Sequence, residues 1–142
     1  MIQILTGVQN SSAALEAEQT RLEVISENIA NAHTAHGVDG KPYQRQTVVF
    51  ESALNQAMGA DGNPGMPTLK VASIQKDQSP PVMVYDPGNP DANKQGMVAM
   101  PNINIHEEMA DLISASRTYE ANLAVVKNAR AMAMETLSIG KH

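Results

Sequence analysis

A chain of 142 residues carrying a net charge of −5 is the size of one modest domain. Its negative balance and its four rings, Tyr43, Phe50, Tyr85 and Tyr119, exclude the cationic footprint and stacking platforms that nucleic acid needs. The same charge argues against an anionic membrane surface, and the absence of cysteine removes disulfides, thiol nucleophiles and thiolate metal sites.

Proline divides the chain in three. All eight prolines lie between Pro42 and Pro101, and seven of the nine glycines between Gly37 and Gly96. Proline breaks helix interiors and glycine weakens them, so long helices belong to the flanks. The expected fold is mainly α with a small β-rich middle. It comprises an N-terminal helical arm over 1–34, a β-rich region with loops over 35–101, and a C-terminal helical arm over 102–142 that packs against the first.

The N-terminal arm repeats at heptad spacing. Val8, Leu15, Leu22 and Ile29 fall seven apart, and Ser11, Glu18, Ile25 and Ala32 fill the second seam position. Its first positive side chain is Arg21, so there is no charged leader and no signal-peptide pattern. No apolar run approaches the ~20 residues that span a bilayer. Taken alone, these features suggest a soluble cytoplasmic protein. The arm closes in "RLEVISENIANAHTAHG" (21–37), where Asn28 and Asn31 sit three apart on one face. Two readings stand: the asparagines end the helix by tolerating a left-handed backbone, or their amides tie the helix to the middle region.

In the middle, "YQRQTVVF" (43–50), "TLKVASI" (68–74), "PPVMVY" (80–85) and "GMVAM" (96–100) are rich in β-formers and bounded by turn residues. "GADGNPGMP" and "DPGNPDANKQG" read as loops. A Pro/Gly-rich β-hairpin insertion at one end of the helices is the expected result. Its chemistry is thin. His33 and His36 have the spacing of two metal ligands but no third partner. "SIQK" (73–76) matches S-x-x-K on a strand rather than at a helix start, and "HEEM" (106–109) lacks the second histidine of a zinc helix. No catalytic, cofactor or metal residues are assigned.

The C-terminal arm carries the longer seam: Ile105, Met109, Leu112, Ser116, Tyr119, Leu123, Val126, Arg130, Ala133 and Leu137. Asn104 followed by Glu107 reads as a capping box, Glu108 adds favourable charge to the first turn, and Gly140 is the candidate C-cap. Packed as an antiparallel coiled-coil pair, with partner numbers summing to about 141, Leu15 meets Val126, Leu22 meets Tyr119 and Ile29 meets Leu112. Val24, Ile113, Val125, Met132 and Met134 lie off that seam. A two-helix pair buries one stripe per helix, so this apolar surplus points to self-association or a partner chain.

Three motifs then carry a resemblance. "SENIANAHT" (26–34) resembles the end of the amino-terminal helix in flagellar axial proteins, the rod and hook family. "MADLISASRTYEANLAVVKNARAMAMETL" (109–137) is similar to that family's carboxy-terminal helix, and "VYDPGNPDANKQGMVAMPNINIHEEM" (84–109) to its proximal-rod members. The resemblance implies a structural subunit, not an enzyme, that polymerises into a helical tube with copies of itself and neighbouring rod proteins. It implies assembly through Val8, Leu15, Leu22, Ile25, Asn28, Ile29, Asn31, Leu112, Ser116, Tyr119, Leu123, Val126 and Leu137. It also implies passage through the flagellar type III export apparatus to a periplasmic basal body without a cleavable signal, replacing the cytoplasmic reading. "FESAL" fits the family's export-gate motif through Phe50 and Leu54. No cofactor, nucleic acid or membrane insertion is implied. The alternatives are another short rod segment, or a cytoplasmic coiled-coil adaptor or export chaperone folded before it binds.

Overall fold

The computed structural model describes residues 2–37, 39–54 and 67–139. Its elements follow the proline map: α1 (Ile2–Ala30), β1 (Gln46–Leu54), β2 (Pro67–Lys76), β3 (Val82–Tyr85), β4 (Met97–Met100) and α2 (Ile105–Ile139). The strands form two separate antiparallel pairs, β1 with β2 and β3 with β4. Two long terminal helices with small sheets between them is thus the observed architecture. The β-rich middle is two hairpins rather than one.

Local chemistry sets the joints between elements. Asn104 caps α2, its Oδ1 accepting the His106 N–H at 3.1 Å. Glu107, expected to complete the box, is exposed, and Gly140 lies outside the described residues. After β2, Asp77 Oδ1 accepts the Ser79 N–H at 2.8 Å and its hydroxyl at 2.7 Å, and these bonds hold the Asp77 carboxyl below its ordinary range. The β3–β4 connection is folded around Asn93, whose Oδ1 accepts from the Gln95 and Met97 amides. Gly96 closes that turn with φ of +74°, a backbone that needs a residue without a Cβ.

The helices run past each other in opposite directions. Asn28, near the end of α1, bonds Glu108 in the first turn of α2, while Arg21, two turns back on α1, reaches Asp111 at 4.0 Å. The numbers of these partners, 28 with 108 and 21 with 111, place the pairing below the sum of 141 expected from apolar matching. Polar contacts at the joint go with a pairing about one heptad lower.

Every seam residue of the N-terminal arm from Val8 to Ala32, which lies in the turn just past α1, is buried or half-buried. Beside that stripe a second one, Ala17, Val24 and Asn28, is also buried, because the β1–β2 hairpin lies along α1. Val24, expected on the outer surface, is 5% exposed for this reason. One helix here covers two stripes: one against α2, the other against a sheet.

The inward row of α2 differs from the expected seam by one residue at alternate positions. Ile105, Leu112, Tyr119, Val126 and Ala133 are half-buried as expected, but Glu108, Ala115, Asn122 and Ala129 complete the row. Met109, expected inside, is 51% exposed, Arg130 is exposed, and Leu137 is 64% exposed. Ser116 and Leu123 remain half-buried at the flank. Glu108 is drawn inward by its bonds, and Ala115, with no exposed surface, has too little bulk to hold the helices apart. The helix therefore rolls toward its alanine side and leaves the Met109 side bare.

Candidate assembly site at the helix joint

The end of α1 is built from asparagine side chains, not from left-handed backbone: among the described residues no non-glycine has positive φ. Asn31 works locally. Its Nδ2 donates to the Glu27 carbonyl at 2.9 Å, its Oδ1 accepts the Thr34 hydroxyl at 3.2 Å, and its carbonyl accepts the Thr34 N–H. Thr34 in turn accepts the Tyr43 N–H, so the chain doubles back beside the helix end.

Asn28 works at long range and is 1% exposed. Its Oδ1 accepts the Gln46 N–H at 2.9 Å while its Nδ2 donates to the Gln46 carbonyl at 2.8 Å. The side-chain amide thus occupies the place of a neighbouring strand at the free edge of β1. Nδ2 also donates to Glu108 Oε2 at 3.0 Å, and the Tyr43 hydroxyl donates to Oδ1 at 3.1 Å. Two donors and two acceptor sites are all an asparagine amide has, and all four are used.

Glu108 is likewise 1% exposed, and Arg45 Nε donates to its Oε1 at 2.6 Å. A carboxylate in that position would be prohibitive alone; with a guanidinium and an amide on it, the charge is tolerated. Arg45 also reaches the Thr47 hydroxyl at 3.3 Å, and Gln46 Nε2 donates to the Tyr43 oxygen at 3.1 Å. Burial pushes the Tyr43 hydroxyl above its ordinary range; Gln46 opposes this, and the nearby Glu27 and Glu108 charges add to it. One cluster therefore ties α1, the first hairpin and α2 together.

Of the residues singled out from sequence, Asn28 and Ile25 are buried here, and Ile29, Leu22, Leu112, Ser116, Tyr119, Leu123 and Val126 are half-buried along the pair. Phe50 is half-buried on β1 beside a cleft that also touches Val24, Ile25 and Val48. Leu54 ends β1, and its side chain lies outside the described residues. His33 is exposed, and His36 Nδ1 lies 3.4 Å from Asp91 Oδ1. Among the described residues no group of three acidic, histidine or cysteine side chains is placed to hold a metal. Glu108, Arg45, Tyr43 and Gln46 went unread as site residues. The one signal for Glu108 was its position, three residues after Ile105 and four before Leu112, which puts an acid on a helical interior face.

On both flanks of the inward row, α2 exposes large apolar side chains. Met109, Ile113, Val125, Met132, Met134, Leu137 and Ile139 are between 51% and 72% exposed. Long antiparallel helices, pinned by a buried polar knot at one end and carrying exposed apolar side chains on both flanks of α2, define a helical structural subunit.

Comparison with known proteins agrees. Residues 9–35 match the family described as flagella basal body rod protein, and residues 94–139 match the family described as flagellar basal body rod FlgEFG protein C-terminal. The chain is 39% identical to the flagellar basal-body rod protein FlgC of Borreliella burgdorferi, over 96% of this chain and 97% of that protein. It is 41% identical to FlgC of Salmonella typhimurium, covering 92% and 93% of the two chains, and 42% identical to FlgC of Bacillus subtilis, covering 92% and 94%. The chain belongs to the FlgC family of flagellar basal-body rod proteins, which makes it a structural rod subunit.

Proposed function

We propose that the chain polymerises, with copies of itself and neighbouring rod proteins, into the proximal segment of the flagellar rod. There it forms part of a helical tube in the periplasmic space that transmits torque and encloses the export channel. The observation that carries this reading is the exposed apolar surface of α2, seven large side chains distributed over its two flanks, each more than half exposed. Apolar surface on that scale is covered when subunits stack with a rotation that does not close on itself. Side-by-side helices then spread shear over many interlocked side chains.

Within the subunit, the arms over 1–34 and 102–142 pack as an antiparallel coiled coil through Val8, Leu15, Leu22, Ile25 and Ile29 on one side and Leu112, Ser116, Tyr119, Leu123 and Val126 on the other. Leu137 belongs to the outward surface, and Asn28 and Asn31 hold the joint from which the middle region over 35–101 projects. The subunit leaves the cell through the flagellar type III apparatus without a cleavable leader, with Phe50 and Leu54 as the export-gate pair. A folded cytoplasmic adaptor is disfavoured, because it would have to carry the exposed apolar flanks of α2 unprotected.

The test places a charge on each flank of α2 in turn. Ile113→Asp and Met132→Asp lie away from the joint, so far-UV circular dichroism of the purified chain should be unchanged. In cells lacking the native subunit, either variant should leave rods incomplete and abolish swimming, because an unpaired buried carboxylate costs several kcal/mol per contact. Complete basal bodies and normal swimming would overturn the proposal.

A further inference from the structure

The heptad rows of α1 and α2 fit together in two ways. One pairing, with numbers summing to about 141, sets Leu22 against Tyr119; one a heptad lower, about 134, sets it against Leu112. The two differ by seven residues, about 10 Å along the axis at 1.5 Å per residue. Both oppose apolar seam residues at most layers, so hydrophobic matching alone leaves the choice open.

We infer that Glu108 is the residue that sets the register of the helix pair, and that Asn28 and Arg45 are its receptors. The carboxylate is bonded by Asn28 Nδ2 at 3.0 Å and by Arg45 Nε at 2.6 Å, groups from two other segments. Asn28 cannot follow a sliding α2, because both of its amide ends are also bonded to the Gln46 backbone. One heptad higher, Glu108 would be carried about 10 Å away, leaving the buried Asn28 amide without its acceptor and the half-buried Arg45 without its carboxylate. A buried polar group of this kind stabilises the correct alignment little and penalises the wrong one heavily, which is how a single polar seam position fixes coiled-coil register. The Arg21–Asp111 contact at 4.0 Å agrees with the lower alignment.

The choice has a consequence for the far end. In the lower register the start of α1 at Ile2 falls short of the end of α2 at Ile139, and the last turns of α2 project past it. Met134, Leu137 and Ile139 there are 62%, 64% and 72% exposed. In the upper register the two helices would end level. The joint thus decides, from the opposite end, whether the subunit presents a projecting apolar helix end or a blunt one. The inference concerns the single chain and stands independently of the rod reading.

The chain has no cysteine, so engineered pairs report register directly. Leu22→Cys with Leu112→Cys reads the lower alignment, and Leu22→Cys with Tyr119→Cys the upper. In the otherwise unaltered full chain, mild oxidation should close the first pair and leave the second open. Exchanging the anchor, Glu108→Ala with Ala115→Glu, moves the carboxylate one heptad along α2 and should reverse the result. Closure of the 22–119 pair in the unaltered chain, or persistence of the 22–112 pair alone after the exchange, would overturn the inference. If circular dichroism shows that the exchange variant has lost its helices, Arg45→Leu with Glu108→Leu decides. Closure of both pairs in that background supports the assignment, and closure of 22–112 alone refutes it.

Discussion

Replacing Asn28 with alanine removes more hydrogen bonds than any other single truncation at the joint, and its effect can be worked from the geometry. Four bonds disappear: two to the Gln46 backbone, one to Glu108 and one from Tyr43. Glu108 keeps Arg45, and the Tyr43 oxygen keeps Gln46 Nε2, so these two groups lose little. The half-buried Gln46 N–H and carbonyl lose the amide that pairs with them, and a backbone group left unpaired away from water costs about 1–3 kcal/mol. Water entering the space left by the amide recovers part of that, which puts the net loss at about 2–4 kcal/mol. Against a total stability of about 5–15 kcal/mol this is a large fraction, equivalent to a fall in Tm on the order of 10 °C. Asn31→Ala is the matched control, since it removes an amide bonded to Glu27 and Thr34 at a surface where water substitutes, for about 0.5 kcal/mol. Thermal and urea melts of the full chain, followed by far-UV circular dichroism, separate the two. Equal losses in both variants would refute the view that Asn28 carries the joint.

Tyr43→Phe should alter the alkaline limb of the stability curve. The Tyr43 hydroxyl titrates higher in the folded chain than in the unfolded one, so its contribution is complete below the ordinary tyrosine range of about 10 and is lost as pH rises through the folded value. Urea midpoints between pH 8 and pH 11 should therefore fall less steeply in the phenylalanine variant, and parallel curves would contradict the assigned burial. Gly96→Ala should destabilise the β3–β4 hairpin by about 1–3 kcal/mol, because a Cβ there meets Tyr85 Cε2 at 3.0 Å and Pro87 Cβ at 3.2 Å on a backbone with φ of +74°. Backbone amide exchange at Met97 and Val98 measures it, and protection equal to that of the native chain would count against the strain.

The parts of the fold legible in sequence were those governed by local chemistry. Proline placement marked off both helices, segments rich in β-formers and bounded by turns located the four strands among the described residues, and the heptad row of α1 emerged as its inward face. The α2 row was half legible. Met109 and Glu108 are adjacent candidates for one seam position, and hydrophobicity favours the methionine. Two partners distant in sequence, Asn28 and Arg45, reverse that preference, and no periodicity announces them. Val24 illustrates the same limit: whether a second stripe is covered depends on where a hairpin lands, which is a tertiary fact. For Asn28 the tie to the middle region was one of two readings open in the sequence, and the bonds to Gln46 and Glu108 distinguish it from Asn31, which acts within its own turn.

The central claim is that α2 carries apolar surface that a single copy leaves in water and the assembled rod covers. Single cysteines at Ile113, Val125 and Met132 of this cysteine-free chain test it through maleimide labelling, first in the purified subunit and then in isolated basal bodies. The account predicts rapid labelling at all three positions in the purified subunit and strong protection in the basal body. Protection already present in the single chain, or equal labelling in both states, would contradict it.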